Sequence, residues 1–469
     1  MNTFLKFSFV LLFVSISYAN NTITSLIKLP KHFKVDHTFS GDLSNTTSFH
    51  LIFSKNKKNK LHTIHPYIFD GNDITTLEAI TNEFAYNIVS FHKEDTVLSL
   101  LLSFTKDKKE FIKRIDIDLS SNSIKENEAI NHEDFSTSIR KKNSSILVYK
   151  NKKEFKLIAF KGTDKVKTLT YTYDKNFDKY RDFFDSHIEA VKTDEFVANG
   201  SVAKLRAYLD DSKLIFTKEN TIHGYTEYLS IPLNKEELIP SNITSFKNRN
   251  SEGAYKKITS FYHNNKLYQF ANNKKTGSIK IHSLDNGNSS TINIDQSLLK
   301  SLVKTNHFNG FEAFLKAAGK NKHNTTITVN KTKDDNVKVR VDYVDIEYSY
   351  HYNWWWHHHM MHMNMMHQQI QFSAPAGFGP TQPNDIHFNN YEAVKEKKYF
   401  EFVIDNENKL VNNTLSETTY KEVDKKHFID KLEEISDFKH ESSCFLKASF
   451  RFIVYSRNLK GFIIQTNNI

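Results

Sequence analysis

The sequence lacks most of the residues and motifs on which functional assignments rest. It has one cysteine, seven prolines and thirteen glycines in 469 residues, which excludes a disulfide-stabilised miniprotein and a collagen. It contains no P-loop, GxSxG, HExxH or paired CxxC motif and no complete calcium loop. The sequence therefore contains no motif that indicates a particular reaction. We expect a binding protein rather than an enzyme.

Arginine is scarce as well. Eight arginines accompany the lysine excess that gives the chain its formal charge of +10, whereas nucleic-acid sites rely on arginine for bidentate contacts to bases and phosphates. The lysines alternate with asparagine in short runs, such as residues 55–60 and 106–109, which is typical of solvated turns. We therefore expect no nucleic acid as a partner.

Long apolar runs are absent, apart from a short one near the N-terminus. Lys6, the apolar residues 7–16 and the small-x-small sequence at 17–19 have the layout of a secretory signal peptide, with cleavage after Ala19. No segment reaches the roughly 18 apolar residues of a membrane-spanning helix. Residues 1–19 are thus predicted to be a signal peptide, and the mature chain is expected to be soluble and secreted, periplasmic or on the cell surface.

The single cysteine, Cys444, cannot form an intramolecular disulfide, although the inferred compartment is oxidising. Its place beside a strand-like run predicts a small buried thiol. Nine Asn-x-Ser/Thr sequons would be glycan acceptors in a eukaryotic secretory pathway, and they include Asn45, Asn143, Asn199, Asn242, Asn288 and Asn324. An asparagine-rich chain also makes sequons by chance, so they do not identify the kingdom.

Short β-prone runs, separated by Lys/Asn/Asp/Gly connectors, dominate residues 48–295. Five stretches share the order strand, polar turn, strand, with their first strands near Leu51, Val97, Ile146, Leu214 and Leu267. The steps of 46, 49, 68 and 53 residues are close to the roughly 40–50 residues of a four-stranded blade, and a helix inserted at 178–191 explains the longest. Residues 20–295 are therefore predicted to be a β-propeller or stacked meanders, with a pair of irregular β-sandwiches as the alternative.

The last third of the chain changes character. Residues 296–336 predict a helical connector, because apolar residues follow at helical spacing. Residues 337–469 predict a small α+β domain with a strand from Val337, another at 399–404, a helix beginning near Asp424 and a closing pair of strands. The predicted fold class is mainly β: a repeat-like β body, β-propeller or stacked meanders, followed by a small α+β domain.

The loop predicted between the first two strands of that domain has an aberrant composition. Residues 348–384 contain no charged side chain but hold all three tryptophans, five of the six methionines and six of the 22 histidines. Thioether sulfur and imidazole suit transition metals, copper above all, and they survive in compartments where thiols are oxidised. The insertion at 351–384 therefore predicts a metal site. Its candidate ligands are His357, His358, His359, Met360, Met361, His362, Met363, Met365, Met366 and His367.

Other interpretations remain open. The insertion also fits a low-complexity loop, or an adhesive or membrane-contacting loop built on its tryptophans and methionines. For the whole chain, an exported binding protein with an unknown protein or surface partner is favoured, and a propeller-type hydrolase with dispersed catalytic residues is the alternative. The acidic residues at 70–73 and 210–211 are interpreted as turns and surface clusters.

Overall fold

The structure is a computed structural model of the chain, and it describes a set of ranges with gaps between them. The described residues are 26–163, 166–174, 178–197, 203–235, 237–248, 255, 257–306, 310–320, 323–345, 397–411, 417–423, 428–429, 431–432 and 434–469. Of the helices within these ranges, the longest has nine residues, and none has the length and apolarity needed to cross a membrane.

The described part of the chain is nearly all β, with 59% of the described residues in strands and 7% in helices. The described strands form seven sheets of four or five strands each, and most neighbours within a sheet are consecutive in sequence and antiparallel. Sheets of this size and strand order are the repeating units of β-propellers and stacked meanders. The predicted fold class is therefore confirmed.

Contacts group the described residues into two compact units. The first unit contains the residues up to 133 and from 423 onward, and the second contains 134–345 and 397–422.

The first unit holds three sheets. Sheet 7 comprises β1 (Leu26–Ile27), β29 (Phe438–Phe445), β30 (Ser449–Ser456) and β31 (Gly461–Asn468). Sheet 1 comprises β2 (Phe33–Asp42), β3 (Ser48–Asn56), β4 (His62–Phe69), β5 (Ile74–Thr76) and β6 (Ile80–Asn82). Sheet 2 comprises β7 (Asn87–Glu94), β8 (Val97–Lys106), β9 (Lys109–Asp118) and β10 (Ser123–Asn131).

The second unit holds four sheets and three short helices. Sheet 3 comprises β11 (Phe135–Lys141), β12 (Ser144–Lys150), β13 (Glu154–Lys161) and β14 (Lys167–Thr172). Sheet 4 comprises β15 (Ile188–Val191), β16 (Leu205–Leu209), β17 (Lys213–Asn220), β18 (Tyr225–Pro232) and β19 (Thr244–Lys247). Sheet 5 comprises β20 (Lys257–His263), β21 (Lys266–Asn272), β22 (Gly277–Ser283) and β23 (Ser289–Asn293). Sheet 6 comprises β24 (Leu302–Asn306), β25 (His323–Lys331), β26 (Val337–Asp345), β27 (Lys397–Ile404) and β28 (Leu410–Val411). The helices are α1 (Lys179–Phe183), α2 (Gln296–Lys300) and α3 (Gly310–Ala318).

The five predicted repeats correspond to sheets 1 to 5. Leu51, Val97, Ile146, Leu214 and Leu267 lie in β3, β8, β12, β17 and β21, which have a paired strand on both sides. Such interior strands are covered on both faces and therefore read as nearly continuous apolar runs. This is why the repeats were visible in the sequence.

Sheet 7 combines the first and the last described strands of the chain. Leu26 pairs with Ile463 and Ile27 with Phe462 in antiparallel register. Gly461 makes this approach possible, because a Cβ atom there would lie 2.7 Å from Leu26 Cδ1 and 3.0 Å from the Ile27 carbonyl oxygen. Cys444 is buried in the same sheet, as predicted.

The helix predicted at 178–191 is wrong beyond residue 183. Asp178 caps α1 by accepting hydrogen bonds from the backbone N–H groups of Tyr180 and Arg181, and the chain then forms the strand β15. Ile188 and Val191 are buried nevertheless. The apolar spacing indicated which residues are buried, but a short helix followed by a strand buries them equally well.

The residues predicted as a connector and an α+β domain supply all strands of sheet 6 and three of the four strands of sheet 7. The range 296–336 contains α2 and α3 but also β24 and β25. In β25, Thr325, Ile327 and Val329 stand at every second position, which is the side-chain spacing of one face of a strand. The predicted helix start at Asp424 lies outside the described residues, and a helical turn is present at 428–429 and 431–432. The domain boundaries at 296 and 337 stay predictions.

Candidate functional site

The ten candidate metal ligands between His357 and His367 lie outside the described residues, so the metal site stays a prediction. Among the residues that the structure describes, no group of three or more His, Cys, Asp or Glu side chains is arranged to hold a metal ion.

The acidic clusters singled out in the sequence have structural roles. Asp70 accepts hydrogen bonds from the backbone N–H groups of Asn72 and Asp73 at 2.8 and 2.9 Å, which is the geometry of the predicted turn. Asp210 accepts a hydrogen bond from the Tyr262 hydroxyl at 2.8 Å, and Asp211 pairs with Lys141.

The candidate site is an open groove of about 590 Å³ on sheet 2. Its volume lies within the range of roughly 300–1,000 Å³ that is usual for ligand sites. The lining is partly aromatic and partly charged, and it consists of Phe84, Phe104, Lys106, Asp107, Lys109, Phe111, Lys113, Asn127, Glu128 and Ala129.

A tight hairpin positions the floor of the groove. Asp107 and Lys108 both have positive φ, 50° and 64°, as a two-residue type I′ turn requires. This turn pairs Lys106 with Lys109 and Phe104 with Phe111. Because side chains alternate along a strand, these four lie on one face of sheet 2.

Three phenylalanine rings form a continuous row along the groove. Phe84, from the connection between β6 and β7, stacks on Phe104 with centroids 5.0 Å apart, and Phe104 stacks on Phe111 at 5.7 Å. Phe104 is buried, whereas Phe84 and Phe111 are partly exposed. Tyr86 packs edge-on against Phe104 at 5.6 Å. The row therefore presents apolar ring surface to solvent.

Charged groups border this row. The Lys106 ammonium lies 5.8 Å from the centroid of the Phe84 ring, within reach of a cation–π interaction. The Lys113 ammonium lies 2.8 Å from Glu126. Burial works to lower the pKa of Lys113, but hydrogen bonds to Glu126 and Tyr86 outweigh it and raise that pKa above its usual value. Lys113 is thus held charged and in place.

The opposite wall is a β-bulge in β10. The pairing of β10 with β9 shifts register between Glu126 and Ala129, and the bulge brings Asn127 and Glu128 to the groove. The Asn127 amide donates to Asp116 at 3.0 Å, and Asp116 is buried against Arg114 at 3.2 Å. The wall is therefore held by a hydrogen bond to a buried ion pair.

Sequence reasoning identified the turn at 106–109 but not the groove. The sequence did contain one signal for the groove: Phe104 and Phe111 stand at equal distances on either side of the turn, so a hairpin would pair them. Phe84, 20 positions earlier in the chain, has no such marker.

Comparisons with known proteins do not assign the chain to a family. No family model matches the chain, and no curated protein matches it. Solved structures aligned with it include the WD40 domain of SCAP from fission yeast, at 7% identity over 93% of this chain and 98% of that chain, with a TM-score of 0.26. A member of the DUF4221 family from Bacteroides vulgatus aligns at 10% identity over 93% and 98%, with a TM-score of 0.29. A putative dipeptidyl aminopeptidase IV from Bacteroides ovatus aligns at 8% identity over 69% and 48%, with a TM-score of 0.32. At such scores these likenesses carry no argument about this chain.

Proposed function

We propose that this chain is an exported binding protein that holds an extended apolar segment of a partner protein in the groove of sheet 2. The observation that carries the proposal is the row of stacked rings of Phe84, Phe104 and Phe111 in an open groove. Exposed apolar surface rimmed by polar groups is typical of interaction sites, and aromatic-lined grooves recognise extended, proline-rich segments.

The spacing of the rings favours a peptide. In a segment extended like a β-strand, side chains two residues apart point to the same side and recur at about 6.6 Å, slightly more than the centroid separations of 5.0 and 5.7 Å along the row. Successive apolar side chains of such a segment can therefore contact successive rings.

The rim of the groove suits a peptide backbone. It carries both signs of charge, from the ammonium groups of Lys106 and Lys109 and the carboxylates of Asp107 and Glu128. Ammonium groups can donate hydrogen bonds to peptide carbonyls, and carboxylates can accept them from peptide N–H groups. A uniformly anionic ligand would meet the two carboxylates unfavourably.

Replacing Phe84 by alanine is expected to weaken peptide binding at least about 5-fold, because truncating an aromatic anchor typically costs more than 1 kcal/mol. Phe84 lies in a connection and is partly exposed, so the sheet is expected to stay folded. The measurement is selection of random nonapeptides on the chain from residue 20, followed by fluorescence anisotropy of enriched peptides with both proteins.

The matched control is Ile222→Ala, which removes a side chain that is 88% exposed in another sheet. This variant is expected to bind the enriched peptides like the unchanged chain. Failure to enrich any peptide, or equal affinity of the Phe84→Ala protein, would overturn the proposal.

Transition-metal handling by residues 351–367 is a second candidate function. It is supported by the composition of that range, which combines six histidines with five methionines and no charged side chain. The mature chain from residue 20, made without a His tag, is expected to bind Cu(I) at submicromolar concentration. Binding should weaken below about pH 6.5, where imidazoles protonate.

The test of the copper site is a titration with Cu(I), Cu(II) and Zn(II) against a competing chelator, beside the same chain lacking residues 351–384. Loss of tight Cu(I) binding in the deletion supports the site. Equal weak binding by both proteins contradicts it.

A further inference from the structure

The structure separates sequons that the sequence leaves equivalent. Four sequon asparagines are exposed in the connections between strands: Asn45 (β2–β3), Asn143 (β11–β12), Asn242 (β18–β19) and Asn288 (β22–β23). By contrast, Asn330 is buried. Its amide donates to the Val197 carbonyl at 2.9 Å and accepts from the Val197 backbone N–H at 3.0 Å.

The four exposed asparagines share a topological position. In an antiparallel meander, the connections between the first and second strands and between the third and fourth strands lie at one end, and the second-to-third connection lies at the other. Asn45 and Asn143 are in first-to-second connections. Asn242 and Asn288 are in third-to-fourth connections of the antiparallel meanders β16–β19 and β20–β23.

The groove lies away from this position. The β8–β9 turn beside it is a second-to-third connection, and none of the four asparagines of sheet 2 begins a sequon, namely Asn87, Asn122, Asn127 and Asn131. Within the first unit, Asn45 and the groove belong to different sheets. A group attached at Asn45 would therefore stand on a different sheet from the aromatic row.

We propose that Asn45, Asn143, Asn242 and Asn288 carry N-linked oligosaccharides in the exported chain, and that Asn330 does not. In the transfer, the side-chain amide nitrogen forms a bond to C1 of the sugar. The bond from C1 to the pyrophosphate of a lipid-linked oligosaccharide breaks, the lipid pyrophosphate leaves, and the amide loses one proton. The Ser or Thr two positions on completes the acceptor sequence.

Exposure decides which acceptor can keep a glycan after folding. An oligosaccharide is bulky and hydrated, so it fits on a turn that faces water. At Asn330 it would break both hydrogen bonds to Val197 and leave buried backbone groups without partners. A chain that carries a glycan at Asn330 is therefore not expected to reach the folded, secreted state.

The full chain is to be produced in cultured mammalian cells with its own leader and, in parallel, with the leader of a known secreted protein. The second leader ensures entry into the secretory pathway. Asn20, Asn199, Asn324 and Asn412 are replaced by Gln in this background, so that only the five sequons at issue remain. Release of the glycans by a peptide N-glycosidase in H₂¹⁸O hydrolyses the side-chain amide and leaves ¹⁸O-labelled aspartate, so peptide mass spectrometry identifies every asparagine that was occupied.

Occupancy at all four turn positions with none at Asn330 is the expected result, and single Asn→Gln variants should each remove one mobility step on a gel. Unmodified asparagine at these turns in the secreted protein, or a glycan on Asn330, would refute the assignment. The assignment is independent of peptide binding. Glycan removal is expected to leave the anisotropy of groove-bound peptides unchanged.

Discussion

Lowering the pH from 7.5 to 5 is expected to destabilise the folded chain by several kcal/mol. Burial lowers the pKa of His50 to about 3, with repulsion from Arg451 contributing. Burial likewise lowers the pKa of His65, His132, His263 and His282, each to about 4. The ordinary value is about 6.5, so these imidazoles are neutral in the folded protein at pH 5.

The sign follows from proton linkage. Below about pH 6.5 the unfolded chain binds protons at these histidines and the folded chain does not, so the free energy of unfolding falls as the pH falls toward 4. Above about pH 7 both states are neutral and this contribution is constant. At pH 5 the fully buried His50 costs about 2 kcal/mol relative to pH 7.5, and the less buried histidines cost less because solvent screens their charge. The five histidines lie in both compact units, so both are expected to weaken.

His50 offers the sharpest test. Its side chain is fully buried, and its two ring nitrogens lie 2.8 and 2.9 Å from the hydroxyls of Ser40 and Ser48. Urea unfolding of His50→Gln is expected to show a stability difference between pH 7.5 and 5 that is smaller by about 2 kcal/mol. The exposed His223→Gln is the control and should keep the full difference. A free energy of unfolding that is equal at both pH values would sink the idea.

Replacing Glu219 by alanine is expected to cost about 3–5 kcal/mol, because it leaves the buried guanidinium of Arg206 without its carboxylate. The two side chains form an ion pair and are each 3% exposed. The same Glu219 oxygen also accepts hydrogen bonds from the Ser260 backbone N–H at 2.9 Å and the Ser260 hydroxyl at 2.8 Å. One carboxylate thus joins β16, β17 and β20, which belong to sheets 4 and 5.

The measurement is urea unfolding of Glu219→Ala beside the double variant Arg206→Met/Glu219→Met. The double variant removes both charges and is expected to lose less stability than the single one. Glu407→Ala, which breaks an exposed pair with Lys409, should have no measurable effect. A cost below about 1 kcal/mol for Glu219→Ala would show that this ion pair does not hold the sheets together.

The Arg206 pair is one case of a wider use of arginine. Of the seven arginines that the structure describes, four are buried: Arg114, Arg206, Arg340 and Arg451. Arg340, for example, pairs with Asp342 and Glu401 in sheet 6. The guanidinium suits such positions because its five donors can bond several acceptors at once. The composition shows that arginine is scarce, and the structure shows that four of the described arginines are buried in the core.

Much of the fold could be predicted because it depends on local patterns. The interior strands of sheets 1 to 5 are apolar runs bounded by turn residues, so their order and spacing were readable. Sheets 6 and 7 were not recognised as further repeats. Sheet 7 takes β1 from the other end of the chain, and β26 and β27 of sheet 6 are separated by about 50 residues of sequence. Pairing across such distances leaves no periodic signal.

The sequence by itself determined the β-rich repeat, the buried Cys444 and the turns at 70–73 and 106–109, since each follows from the residue types at neighbouring positions. Only the tertiary structure decided which phenylalanines form the groove, which sequons are exposed and which arginines are buried. Phe84 meets Phe104 through chain folding, and Asn330 differs from Asn45 in its surroundings and not in its sequon. Burial and contact between distant segments depend on packing, which no local pattern records.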